Sequence, residues 1–257
     1  MQDLTGKTAL VTGIANRRSI AYAIGEELGS RGVKLALTYQ PLGREGETGK
    51  FLKATESLGA ELRLPMDAAD SASVAEAFGA MEKKWRRLDI LVHAIATAKR
   101  EELEGRHSEI SREGFLLAQD VSAYSLIELV RASRPLMAEG GSVIVLTYIG
   151  SQRVVNNYNV MGSAKAALEA NVRYLAMELG PENIRVNAIS AGPVRTLSAS
   201  GITDFLDLLH NAATYSALKR NITPQEIANT ACFLASSLSS GITGQILYVD
   251  GGFNIFA

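Results

Sequence analysis

The chain has 257 residues, 26 basic against 27 acidic side chains, and 47% hydrophobic content, enough apolar side chain for a large core and too much for disorder, collagen-like repeats or low complexity. A charge this near neutral argues against nucleic-acid binding, which needs a basic surface. The one cysteine, Cys232, permits neither an intrachain disulfide nor a cysteine zinc site.

Taken in chain order, short β-branched runs at 8–12, 35–39, 62–66, 90–93, 142–148, 184–189 and 246–249 predict seven strands. Several are almost wholly apolar, as parallel strands covered on both faces are. Amphipathic stretches at 19–31, 44–58, 71–85, 112–137, 158–179 and 224–236 predict the helices between them. This alternation predicts βαβ units: an α/β, Rossmann-like, doubly wound domain over 1–257, with a seven-stranded parallel sheet and helices on both faces. Two stretches, 97–110 and 195–221, fit neither period. Both follow strand carboxyl ends, where such a sheet binds its ligands, so both are expected to be lids or binding loops. No secretory signal is visible and no apolar run reaches the ~18 residues that cross a bilayer, so a soluble, cytoplasmic protein without a membrane partner is expected.

The first strand runs into Thr12-Gly13-Ile14-Ala15-Asn16-Arg17-Arg18-Ser19-Ile20-Ala21. Gly13 permits a tight turn and close backbone approach. Ser19 suits a helix N-cap, where free amides and the helix dipole attract phosphate. A full G-x-G-x-x-G pattern is absent, so the residues read equally as an ordinary strand–helix turn. After the second strand, Gln40 can bond ribose hydroxyls without repelling a phosphate, whereas Arg44 favours a phosphorylated ribose; the choice between NADH and NADPH stays open. Asp67 ends the third strand, either as an acceptor for an adenine amino group or as a carboxylate near a helix start.

The stretch from Tyr148 to Lys165 is the richest in chemistry. Tyr148 terminates a strand and Tyr158 opens a helix. Lys165, seven residues on, shares a helix face with Tyr158. A cation near a phenol is expected to lower its pKa, and the pair can polarise a carbonyl or stabilise an enolate. His107 and His210 have no partners at metal-ligand spacing, so no metal is expected. His93 reads as a satisfied interior histidine and Cys232 as inert core.

The segments TGIANRRSIA, REGFLLAQDVSAYS, YNVMGSAKAALEANVRYLA, GPENIRVNAISAGPVRTLSASGI and GITGQILYVDGGF together resemble the bacterial enoyl-acyl carrier protein reductases, a divergent branch of the short-chain dehydrogenase/reductase superfamily. The likeness runs from about residue 4 to 253. Its most specific mark is Tyr-x6-Lys with a second Tyr ten residues earlier; the wider superfamily uses Tyr-x3-Lys, and Gly162 holds that place here. The resemblance implies that Tyr158 binds the thioester carbonyl and stabilises the enolate, that Lys165 anchors the nicotinamide ribose, and that Tyr148 lines the acyl pocket, where Ala98 also touches substrate. It implies cofactor contacts from Gly13, Ser19, Ile20, Gln40, Asp67, Ala68, Ile95, Val194, Arg195, Thr196, Leu197 and Ser198. It further implies NADH as cofactor, acyl carrier protein as the thioester's carrier, and a homotetramer.

Three positions depart from the commoner pattern: Thr97 stands for a frequent Phe, and Asn157 and Ala217 for frequent prolines. Lost prolines predict a looser lid. The helix expected to dock the acidic carrier protein begins Thr203-Asp204-Phe205-Leu206-Asp207, without a cation. Docking is therefore expected at Lys99 and Arg100 or at Lys219 and Arg220.

Overall fold

The computed structural model describes residues 4–41, 47–197, 199 and 203–256. The seven predicted strands form as β1 Thr8–Val11, β2 Lys34–Tyr39, β3 Leu62–Pro65, β4 Ile90–His93, β5 Gly141–Thr147, β6 Ile184–Ala191 and β7 Ile246–Val249. All pair in parallel, in the order β3-β2-β1-β4-β5-β6-β7. The winding reverses between β1 and β4, which opens a crevice at the carboxyl edge of the sheet. Gly13 stands at that reversal with φ +81°, and a Cβ there would lie 2.0 Å from the Ala94 carbonyl oxygen. Only glycine lets the turn after β1 come so close to the end of β4.

The helices are α1 Ile20–Ser30, α2 Glu47–Thr55, α3 Ser71–Trp85, α4 Arg112–Gln119, α5 Ser125–Ser133, α6 Asn159–Leu179, α7 Phe205–Tyr215 and α8 Pro224–Ala235. Strand side chains alternate between two cores. Ala9, Val11, Ile90, Val92 and Ile144 pack with α1 and α8. Leu10, Leu91, Val143 and Val145 face the other way, onto α3, α5 and α6. Both sheet faces are thus dry, and each fully buried leucine contributes roughly 1.5–3 kcal/mol. A third, small cluster of Ala118, Val160, Met161 and Ala164 packs beneath Leu103 and Ile110 of the first excursion. The second excursion carries α7, an 11-residue helix that the strand–helix alternation had not assigned.

The predicted helix over 112–137 is not continuous. A π-helical turn, Asp120–Tyr124, separates α4 from α5, and a 3-10 turn, Arg134–Met137, follows. The apolar spacing carries no signal for one extra residue in a turn, yet its position matters. Ser122 Oγ donates to the Thr97 carbonyl (3.1 Å) and accepts from the Thr97 amide (3.0 Å), which fixes the start of the first excursion. Ser125 Oγ donates to the Val121 carbonyl at 2.7 Å, so it accepts from His93 Nε2 at 2.8 Å. His93 is wholly buried and its Nδ1 has no hydrogen-bond partner. The expectation of a satisfied histidine is corrected to one nitrogen of two, and burial drives its pKa down to about 3, so it is neutral.

Candidate active site

Tyr148 follows β5 and Tyr158 forms the N-cap of α6, so a tight turn between them places the two rings edge to face, centroids 5.0 Å apart at 70°. With Lys165 they line a cavity of about 430 Å³ at the carboxyl edge of the sheet. Lys165 is 6% exposed and donates to the Leu146 carbonyl at 2.9 Å. An ammonium has three donors, which leaves two for a ligand. Burial lowers its pKa to about 8.

The expected lowering of the Tyr158 phenol does not occur. Burial pushes it up, and Tyr148 adds to the rise, with no offset from Lys165, one of whose donors goes to the Leu146 carbonyl. Tyr148 is likewise pushed up, to about 12, by burial. Both phenols therefore keep their protons at neutral pH and stand as hydrogen-bond donors. The Tyr-x6-Lys spacing has a steric basis too. At Gly162, a Cβ would lie 2.9 Å from the Gly150 carbonyl oxygen, so α6 touches the Tyr148 turn where a Tyr-x3-Lys enzyme carries its lysine.

The residues flanking Tyr158 hold both excursions. Asn159 Nδ2 donates to the carbonyls of Glu104 and Gly105, each at 3.0 Å. Asn157 Nδ2 donates to the Thr203 carbonyl (3.1 Å) and to Asp204 Oδ2 (3.3 Å). Thr203 Oγ1 closes the loop by bonding Glu104. Asn157 has φ +58°, which asparagine tolerates and proline cannot adopt. This backbone therefore has no place for a proline at 157, and the asparagine amide bonds the segment at 203–204 instead.

Of the other residues singled out in the sequence, Ile20, Ala98, Val194 and Thr196 also line the cavity, as does Thr97. Gly13, Gln40, Asp67, Ala68 and Ile95 follow β1, β2, β3 and β4 along the same sheet edge, outside that cavity. Arg195 and Leu197 flank Thr196 after β6; Ser198 and Arg44 lie outside the described residues. Ser19 is the N-cap of α1, but its side chain caps nothing. Its Oγ accepts instead from the amides of Ala15 and Asn16, both at 3.1 Å, because the loop folds back over it. Asp67 Oδ1 accepts from the Ala69 amide at 3.0 Å, a local turn.

Sequence motifs leave out further residues of the site. Met161, four residues before Lys165, and Glu169, four after it, were legible from helical spacing alone. Leu103 comes from an excursion with no period to read, and Arg100 beside it, expected from the sequence as a docking residue, lines the cavity too.

A doubly wound parallel sheet with a tyrosine–lysine pair at its carboxyl edge defines a protein of the short-chain dehydrogenase/reductase class. A family model described as enoyl-(acyl carrier protein) reductase matches residues 13–254, and the chain belongs to that family. It is similar to the enoyl-acyl-carrier-protein reductase (NADH) FabI of Nostoc sp., 52% identical with 99% of each chain covered. It is 47% identical to the corresponding enzyme (NADPH) of Staphylococcus aureus, again with 99% of each covered. The crystal structure of the Anaplasma phagocytophilum reductase in complex with NAD superposes with a TM-score of 0.94 at 41% identity, covering 99% of this chain and 96% of that one.

Proposed function

We propose that this chain reduces the trans-2 double bond of enoyl thioesters carried on acyl carrier protein, the last step of a fatty acid elongation cycle, with NADH as reductant. The observation that carries this reading is the convergence of Tyr148, Tyr158 and Lys165 on one cavity at the sheet's carboxyl edge. The dinucleotide fits the residues present. Lys165 has two unspent donors for ribose hydroxyls, no side chain caps the first turn of α1, and the Gly13 turn is bare. Ser19, Ile20, Gln40, Asp67, Ala68, Ile95 and 194–198 would supply the remaining contacts.

Bound there, the reduced nicotinamide supplies hydride to the β-carbon of the thioester. Tyr158, protonated, donates to the thioester carbonyl oxygen and stabilises the enolate that results. The α-carbon then takes a proton, which completes the saturated product. Tyr148 and Ala98 wall the acyl chain, and Met161 and Leu103 extend the apolar surface. The excursions 97–110 and 195–221 act as substrate loops of one catalytic unit over 1–257.

Carrier-protein docking is read at the Arg100 side of the cavity. Lys99 is held by Glu113 at 2.7 Å and Arg220 by Glu226 at 2.7 Å, whereas Arg100 lines the cavity mouth with Glu104 no nearer than 3.8 Å. We also infer a homotetramer: Tyr174 and Met177 on α6 are 80% and 83% exposed, an apolar pair suited to burial against another copy. No helix among the described residues is long and apolar enough to cross a membrane.

The test mixes the protein with crotonyl-coenzyme A and NADH, then NADPH, and follows cofactor oxidation, with a simple ketone as control. Consumption of cofactor only with the ketone would overturn the reading. Arg100→Glu should weaken carrier-protein turnover far more than coenzyme A turnover; equal losses count against the docking site.

A further inference from the structure

Glu169 lies on α6 one turn beyond Lys165 and is 3% exposed. A buried carboxylate is costly without partners, and this one has three donors from outside its helix. Thr147 Oγ1 donates at 2.8 Å, Ser151 Oγ at 2.6 Å and Gln152 Nε2 at 3.3 Å. Thr147 directly precedes Tyr148, and Ser151 and Gln152 close the turn that follows it. One carboxylate therefore grips both sides of the Tyr148 turn. Residues four apart on a helix share a face, so the same carboxylate neighbours the Lys165 ammonium. None of the steps proposed above uses it.

We propose that Glu169 is a positioning residue that keeps Lys165 in its charged, ribose-binding form and clamps the Tyr148 turn onto the same helix. This rests on the functional reading in taking Lys165 as the anchor of the cofactor. The titratable groups around Lys165 are Glu169 on its own helix, His93 from β4, and Tyr148 and Tyr158 across the cavity. His93 is neutral and both phenols keep their protons, so Glu169 supplies the one charge opposing the burial that lowers Lys165. Tyr248 of β7, which bonds Gln152, feels the same carboxylate and keeps its proton. With Lys165 already brought down to about 8, loss of that neighbour leaves the amine largely neutral under ordinary assay conditions.

The test is NADH binding, followed by cofactor fluorescence across neutral to alkaline pH, for the wild type and Glu169→Gln. Wild-type affinity should fall above about pH 8. In the variant that midpoint should move to lower pH by about one unit or more, the usual effect of a lost opposite charge at this range. NADH affinity at neutral pH should drop several-fold and recover at lower pH. A merely structural role would lower affinity equally at every pH, and an unmoved midpoint overturns the proposal. Should Glu169→Gln not fold, Ser151→Ala decides. Its KM for crotonyl-coenzyme A should rise about fivefold, the loss of one ordinary hydrogen bond, with NADH affinity unchanged; a wild-type KM overturns the proposal. A wild type that neither binds NADH nor reduces crotonyl-coenzyme A counts against the functional reading instead.

Discussion

The side-chain amide of Asn157 reaches the Thr203 carbonyl at 3.1 Å, so the residue before Tyr158 holds the segment leading into α7, 46 residues away in sequence. Removing it in Asn157→Ala forfeits about 1 kcal/mol of hydrogen bonding. The KM for enoyl thioester should rise about fivefold with NADH affinity unchanged, and limited proteolysis over 203–208 should quicken. Asn157→Pro should do more harm, because the ring cannot reach φ +58°. A proteolysis rate no different from wild type in Asn157→Ala would count against the latch.

Tyr158→Phe leaves the apolar packing against Tyr148 intact and removes only the hydroxyl. Its kcat should fall about 10²–10⁴-fold, the range for a lost acid or base contribution, with NADH affinity kept. Since burial raises the Tyr158 phenol, no wild-type rate change near neutrality should trace to its ionisation. A pH profile that loses a neutral limb in the phenylalanine variant would argue otherwise.

Lys165→Met should abolish cofactor binding and yet stabilise the free protein. Lowering the ammonium from 10.5 to about 8 corresponds to about 3 kcal/mol against folding; losing the bond to Leu146 returns about 1 kcal/mol. The net gain of about 1–2 kcal/mol should raise Tm by roughly 2–8 °C. The sign follows the protons. Below pH 8 both folded and unfolded chains carry the charge and the burial cost is complete. Between 8 and 10.5 only the unfolded chain does, so the wild type recovers and the gain shrinks. Thermal melts at several pH values give the answer.

Gly162→Ala adds a methyl 2.9 Å from the Gly150 carbonyl oxygen. An exposed helical glycine gains about 1 kcal/mol from this change. Here overpacking typically costs about 1–3 kcal/mol and pushes α6 from the Tyr148 turn. Denaturant unfolding should show no gain in stability, and kcat/KM should fall. A stabilised, fully active variant would mean that the contact yields freely.

The strand–helix alternation, the parallel sheet and the order of its elements were legible because period-2 and period-3.6 apolar patterns are local, and β4 and β7 end where the pattern ends. The family motif likewise named Tyr148, Tyr158 and Lys165. What the tertiary structure alone decided is how those groups behave. A chain pattern marks apolar faces but not how deeply one phenol is buried, so Tyr158 reads in the sequence as a phenol activated by a cation. Burial, with Tyr148 beside it, keeps it protonated, and Lys165 turns to the Leu146 carbonyl. The π-helical turn that aims Ser122 at Thr97, the φ +58° that excludes proline at 157, and the Glu169 clamp on the Tyr148 turn share one cause. Each depends on contacts between segments far apart in sequence, and such contacts exist only once the two cores have closed around the sheet.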